Sequence, residues 1–269
     1  MNSRSLIPTL SLMLVLPVLA QDSDMQPKLN CDGNRRSGND RQQRFCEIRE
    51  YRIGSVSRLS VDGRINGGVS IRGWDRAETF IRAKVDVWAP AEAEARAMAG
   101  QIHIQQSSNL RADAPDFGRD RGWAVSYEVF VPRTTDLVLK AHNGGIAISD
   151  VRGTVEFDAV NGGVSLKRLA GTVRGRTVNG GLSVELSGSR WDGTELDVAA
   201  TNGGVSLSVP DNYSARLETR TVNGRISVDY PVSLQGARLD RELSVTLGSG
   251  GPLVRAVTTN GGVSVRRRS

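Results

Sequence analysis

The chain has 269 residues, with 35 Lys and Arg against 29 Asp and Glu and a formal net charge of +6. Aromatic residues make up 5% and glycines number 30, a composition that suits a narrow core of Val, Leu, Ile and Ala better than a wide globular one. Outside residues 6–19 no segment approaches the roughly 18 apolar residues that a spanning helix needs, so a helical membrane protein is excluded for the rest of the chain.

At the N-terminus, Arg4 precedes an apolar run over 6–19 that Pro8 and Pro17 interrupt, and Val18-Leu19-Ala20 forms a cleavage site before Gln21. Residues 1–20 therefore read as a secretory signal peptide, too short and broken to span a membrane well. The mature chain keeps 34 Lys and Arg (35 less Arg4) against 29 acids, a net of +5. No Cys stands at the cleavage point, which argues against a lipid anchor there. Export to the periplasm, cell surface or medium sets nucleic acid aside as a partner despite the basic balance. In the following segment, 21–50, Cys31 and Cys46 flank a polar, Arg-rich stretch. An even cysteine count in an exported chain predicts one disulfide, worth roughly 3 kcal/mol for a loop of about 15 residues. The alternative of two thiols or a metal pair lacks further ligands nearby.

The remainder, 51–269, is governed by a repeat. Asn-Gly recurs at Asn66, Asn143, Asn161, Asn179, Asn202, Asn223 and Asn260, with separations of 18, 18, 23, 21 and 37 from Asn143 onward. Three residues after each Asn stands Val69, Ile146, Val164, Leu182, Val205, Ile226 or Val263; five after stands another aliphatic residue, with Ser or Ala between. Six before, from Asn143 on, the column reads Leu137, Val155, Val173, Leu196, Leu217 and Val254. This period-two alternation predicts two short inward-facing strands per repeat, joined at an Asn-Gly corner where Gly would supply a positive φ. The expected fold is all-β, a parallel β-solenoid. Asn-Gly also suits antiparallel hairpins, and a meander is the competing reading. One Asn-Gly per two strands and like residues at like offsets favour the solenoid. Asp240, followed by Leu243 and Val245, predicts a further rung inside the 37-residue gap, giving seven contiguous corners.

Between Asn66 and Asn143 the repeat is interrupted over 73–136. Ile81, Ala83, Val85 and Val87 alternate as a strand, Pro90 opens a helix over 91–99, and strands are expected around Ile102 and Ile104 and over Val125, Tyr127, Val129 and Val131. This β-α-β-β insertion is the expected cap over the N-terminal end of the solenoid.

Residues 46–50, the run Asn66-Gly67-Gly68-Val69-Ser70-Ile71-Arg72-Gly73-Trp74-Asp75, the segment ending Val129-Phe130-Val131-Pro132 and the Asn-Gly-Gly rungs resemble bacterial exported β-strand-repeat proteins of the putative-adhesin domain family of unknown function. The resemblance covers roughly Cys46 to the C-terminus. It implies a right-handed β-helix-like fold at the cell envelope and supplies no catalytic residues, while some relatives are tied to envelope-stress signalling.

Chemistry is sparse. His103 and His142 lie far apart, so no metal site is expected, and no dinucleotide, phosphate-loop or nucleophile-elbow signature calls for a cofactor. Glu156 and Asp158 are the best acid pair for a carbohydrate-active enzyme of lyase or hydrolase type. One rung on, however, the same columns hold Arg174 and Arg176, then Asp197, then Glu218 and Arg220, which favours a structural ion-pair ladder. The expected binding surface is the corner opposite Asn-Gly, where Arg190, Trp191 and Asp192 on 187–193 neighbour Tyr213 on 210–214 and Tyr230 beyond. Rings beside charges suit a glycan or a protein partner, the competing reading being that the rings only cap the corner's apolar edge. The sequence thus predicts a non-enzymatic envelope or secreted scaffold with adhesin-like binding. An enzyme on the same fold and an envelope-stress sensor are the alternatives.

Overall fold

The computed structural model describes residues 29–32, 42–230 and 241–268, so the expected leader and Asp240 lie outside the described residues. The first part of the chain forms β1 (Gln43–Ile53), β2 (Arg58–Asp62), β3 (Val69–Trp74), β4 (Thr79–Ala89), α1 (Glu92–Ala99), β5 (His103–Gln105), β6 (Asn109–Asp113) and β7 (Gly122–Pro132). The repeats follow as strand pairs: β8 (Asp136–Ala141) and β9 (Ile146–Ser149), β10 (Arg152–Asn161) and β11 (Val164–Lys167), β12 (Ala170–Asn179) and β13 (Leu182–Glu185), β14 (Glu195–Asn202) and β15 (Val205–Pro210). Last come β16 (Ala215–Asn223) and β17 (Ile226–Asp229), the single strand β18 (Glu242–Leu247), and β19 (Leu253–Asn260) with β20 (Val263–Arg268).

Two ten-stranded sheets face one another. One runs β1-β4-β7-β3-β9-β11-β13-β15-β20-β17 and the other β18-β16-β19-β14-β12-β10-β8-β2-β6-β5. Repeat neighbours pair in parallel with like offsets aligned, as in Val155↔Val173 and Val164↔Leu182, so the hairpin meander does not form. The aliphatic columns read from the sequence are buried between the sheets, apart from Ile226 and Val228 on the edge strand β17, which are half-buried; each fully buried side chain is worth roughly 1.5–3 kcal/mol.

The Asn-Gly corners stack along one edge through a continuous chain of side-chain amide hydrogen bonds. The Nδ2 of Asn143 donates to Asn66 Oδ1 at 3.1 Å, and in the same way Asn161 donates to Asn143 (2.9 Å), Asn179 to Asn161 (2.8 Å) and Asn202 to Asn179 (2.8 Å). Asn260 then donates to Asn202 (2.7 Å) and Asn223 to Asn260 (2.7 Å). The following glycines are required for a reason other than a positive φ. A Cβ on Gly162, Gly180, Gly203 or Gly224 would lie 2.0–2.2 Å from the carbonyl oxygen of the glycine one rung away. The second glycine has more room: a Cβ on Gly181 would stand 3.6 Å from Gly204 O, which accounts for Arg225 taking that place after Gly224.

The ladder also shows that rungs do not stack in chain order. The pair β19–β20 inserts between β14–β15 and β16–β17. Moreover, β18 runs antiparallel to β16 at the sheet edge (Leu217↔Val245) and is not the parallel rung expected at Asp240. Charge accounts for this order. On the outward column five residues before each Asn, chain order would bring Asp197 against Glu218; the observed order places Arg255 between them, in register with both. Read through space the column is Glu156, Arg174, Asp197, Arg255, Glu218, alternating in sign throughout.

The insertion over 73–136 holds an extra strand, β6, which the sequence reading lacked. With β7 it forms a full rung, since β6 pairs in parallel with β2 (Val61↔Leu110) and β7 with β3 (Val69↔Tyr127). Antiparallel strands then flank this rung, β5 beside β6 and β4 beside β7, with β1 beyond β4. Helix α1 buries Ala95, Met98 and Ala99 in the core, and the Arg49 guanidinium donates to the Ala99 and Ile102 carbonyls at 2.7 Å. Strand β1 runs unbroken over 43–53, and Cys46 on it is disulfide-bonded to Cys31, with Cα atoms 5.8 Å apart.

At the corner opposite Asn-Gly the expected binding rings are buried. Trp191 is 3% and Tyr213 1% exposed, and both join the core. Tyr213 stands ten residues before its Asn, the position of Val151 and Leu169 in earlier rungs, and fills the corner as they do. The indole N–H of Trp191 donates to Gly171 O at 3.0 Å, whereas the Tyr213 hydroxyl has no partner among the described residues.

These contacts predict two contrasts in urea unfolding. Gly180→Ala forces rungs apart and lowers stability by about 3 kcal/mol. Gly181→Ala, at an ordinary contact distance, stays within about 1 kcal/mol of wild type, on the stabilising side. Trp191→Ala loses about 3–5 kcal/mol by opening the corner, while Tyr213→Phe loses nothing because it removes a buried hydroxyl that makes no bond. Equal effects within either pair would contradict the packing described.

Candidate binding cleft

The acid pair is part of the outer face of the second sheet. Asp158 accepts from the Arg176 guanidinium at 3.1 and 2.9 Å; Arg174 donates to Glu195 at 2.6 Å and Arg255 to Asp197 at 2.7 Å. These exposed pairs are each worth a few tenths to 1 kcal/mol and set which strands lie side by side. At the opposite corner, burial pushes the Asp150 carboxyl up, but two 2.7 Å bonds from Arg168 and its charge more than offset this and hold it below the ordinary carboxylate range.

Of the residues expected at the binding corner, Arg190 and Asp192 remain exposed and Asp192 pairs with Arg152. Tyr230 is half-buried and donates to Pro210 O at 2.9 Å while accepting from the Tyr213 N–H at 3.2 Å, so it ties down the loop beneath it. The rings that would anchor a ligand are therefore in the core, and this corner is left with charges alone.

Besides a hollow of ≈490 Å³ over Glu156, Asp158, Arg176, Asp197 and Arg255, two larger concavities are found among the described residues. A shallow groove of ≈690 Å³ crosses the outer face of the first sheet, its lining made largely of Gly145, Ser165, Gly181, Ser183 and similar small residues, with Leu29 beside them. The second, a cleft of ≈800 Å³, lies at the Asn-Gly edge beside the β6–β7 rung. There residues 114–121 replace the tight Asn-Gly corner with a long loop, and the edge opens. Phe117 and Trp123 line it with Ile65, which is 67% exposed, and with Asn66, Lys140, His142, Asp158 and Arg176.

The cleft wall is set by local geometry. Arg64 takes a left-handed φ of 55°, held by its N–H bond to Asp62 Oδ1 at 2.8 Å, and this turn carries Ile65 outward. The Asp116 carboxylate accepts from the Gly118 N–H at 2.9 Å, folding the loop that carries Phe117. Arg121 is tied to Glu94 at 2.6 Å, anchoring the same loop to α1. Trp123 faces the core side of β7, opposite Val87, at the mouth where the rung is open. The lining cations Arg64, Arg121, Lys140 and Arg176 nearly balance Asp62, Asp116 and Asp158. The arrangement is thus a near-neutral slot with two rings, one exposed aliphatic side chain and polar groups, suited to a partly apolar, hydrogen-bonding ligand.

Sequence reasoning passed over this site. Phe117 and Trp123 belong to the one rung without an Asn-Gly, so no offset marked them. The signal available was the loop itself, a run of Pro, Asp, Gly and Arg carrying a ring between two strands.

No helix among the described residues is long and apolar enough to cross a membrane. No curated protein matches the chain. Among solved structures, it is similar to a putative cell adhesion protein from Clostridium sporogenes, with 11% identity over 82% of this chain and 100% of that one and a TM-score of 0.40. It is also similar to a putative adhesin from Bacteroides fragilis (10% identity, 83% and 97% covered, TM-score 0.34) and a putative lipid binding protein from Parabacteroides distasonis (11%, 82% and 96%, TM-score 0.33). Residues 55–266 match the family described as Toastrack DUF4097. That span takes in the stacked rungs, the insertion and the corner cleft together, and the chain belongs to the Toastrack DUF4097 family.

Proposed function

We propose that this protein is an exported, non-enzymatic scaffold with an adhesin-like task, holding a cell-envelope glycan or protein in the corner cleft. The carrying observation is the cleft itself, where Phe117, Trp123 and Ile65 stand beside polar groups at the point where the repeat's tight corner is opened. A rigid stack with its contacts in a loop at one edge is the usual arrangement of a binding module. Export is supported by the leader pattern of 1–20 and by the Cys31–Cys46 bond, which persists in oxidising compartments. The engagement of Asp158 by Arg176, within a ladder of like pairs, supports a structural role for the acid pair over catalysis.

The test uses mature protein immobilised against purified envelope polysaccharide and, separately, total envelope protein. The mature N-terminus should be Gln21, and wild type should retain one of the two fractions. Retention should fall more than tenfold in the Phe117→Ala and Trp123→Ala double variant, which loses stability because both rings also pack on the core. Phe117→Tyr with Trp123 intact, which keeps both rings, should restore retention with a melting temperature within a few degrees of wild type. Equal retention by the double variant would move the binding surface elsewhere. Release of reducing ends by wild type, abolished by Glu156→Gln with Asp158→Asn, would replace the scaffold reading with an enzyme.

A further inference from the structure

The amide ladder has a direction, and its direction leaves one donor over. In each of its six bonds an Asn Nδ2 donates to the Oδ1 of the neighbour nearer the β6–β7 end. The chain of donors ends at Asn66, whose Oδ1 is taken by Asn143 and whose Nδ2 has no partner among the described residues. The register explains the vacancy. Val69 pairs with Tyr127, so the place next in line beyond Asn66 falls to Ala124, which carries a methyl group where the seven Asn-Gly rungs carry an amide. Asn66 also lines the corner cleft, unlike the other ladder members, together with Phe117 and Trp123.

Every other Nδ2 in this column meets an amide oxygen at 2.7–3.1 Å. A ligand that presents an amide carbonyl to Asn66 would therefore complete the series as a further Asn would. Hydrogen bonds in such a chain polarise one another, which strengthens the terminal donor. The rings lining the same cleft favour the flat apolar face of a pyranose, and the near balance of lining charges favours a neutral ligand. We propose that the cleft binds an N-acetylated hexosamine, with the acetamido carbonyl accepting from Asn66 Nδ2 and the sugar ring resting against Trp123 and Phe117. This rests on the reading of the cleft as the binding site and adds the chemical class of its ligand. The indole N–H of Trp123 and the side chains of Lys140 and His142, also without partners among the described residues, supply further donors for sugar hydroxyls.

The experiment compares two probes with the same β-1,4 glucan backbone, the tetrasaccharide of N-acetylglucosamine and cellotetraose, titrated calorimetrically into the mature protein. The acetylated probe should bind at least tenfold more tightly. Asn66→Asp keeps the acceptor for Asn143 and removes the donor, so it should weaken the acetylated probe about tenfold, leave cellotetraose unchanged and preserve the melting temperature. Phe117→Ala, on an exposed loop, should weaken both. Equal affinity for the two probes, lost in Phe117→Ala, would overturn the acetamido assignment while leaving the cleft a glycan site. Failure of the acetylated probe to bind, or an Asn66→Asp variant with wild-type affinity for it, would overturn the assignment as well. Retention of envelope material by wild type but not by the Phe117 and Trp123 variant would in either case keep the broader reading.

Discussion

The structure depends on a backbone contact that tolerates no side chain. At the Asn-Gly edge each first glycine lies so close to a backbone carbonyl one rung away, that of Val125 for Gly67 and of a glycine for the others, that a Cβ would sit about 2 Å from it. The amide ladder runs immediately beside that contact, each bond adding on the order of 1 kcal/mol. Together they fix the phase of every rung, because a slip of one residue would drive a Cβ into the stack and break a ladder bond on each side. With the corner fixed, the strands on either side have no freedom of register. Aliphatic side chains then meet their own kind across both sheets and serines line up on the outer face.

Much of this was legible in the residues. The offsets around Asn gave the inward columns and the parallel pairing, since stacked rungs must repeat like residues at like positions. The role of the first glycine was not legible from local propensity, because the clash that demands it comes from a neighbouring rung and not from its own φ. The rung order was readable in principle: Asp197 and Glu218 occupy the same outward column, and the only arrangement of the C-terminal rungs that separates them puts Arg255 between. An Asp at position 240 imitates the corner residue in the sequence but has no glycine after it, and β18, which follows, runs antiparallel to β16. The buried corner was likewise readable, since Tyr213 shares its offset with Val151 and Leu169, although the size of the ring suggested a surface anchor.

The cleft lay beyond the reach of any periodic argument. Repetition specifies a uniform stack, and a uniform stack presents the same surface at every level; a particular ligand needs a place where the pattern is interrupted. In this chain the interruption is the β6–β7 rung, which keeps the inward columns but exchanges the Asn-Gly corner for a loop carrying Phe117 and leading into Trp123. Asn66 belongs to both regimes, as the last member of the ladder and part of the cleft wall. Its alignment with six other Asn residues gives it a fixed orientation, the kind of second-level support that a loop residue alone lacks.

The displaced order of the last rungs changes how the molecule can come apart. In a simple solenoid the free chain end is also the end of the stack, so unravelling can begin there and peel one repeat at a time. Here the last strands in sequence, β19 and β20, are paired on both flanks, while the rung at the outer end of the stack, β16 and β17, precedes them in the chain. The last repeat in sequence is thus clasped inside the stack like a cord tucked beneath its last turn. A mechanical pull applied to the chain just after β20 must break two sets of strand pairings at once before any unit comes free.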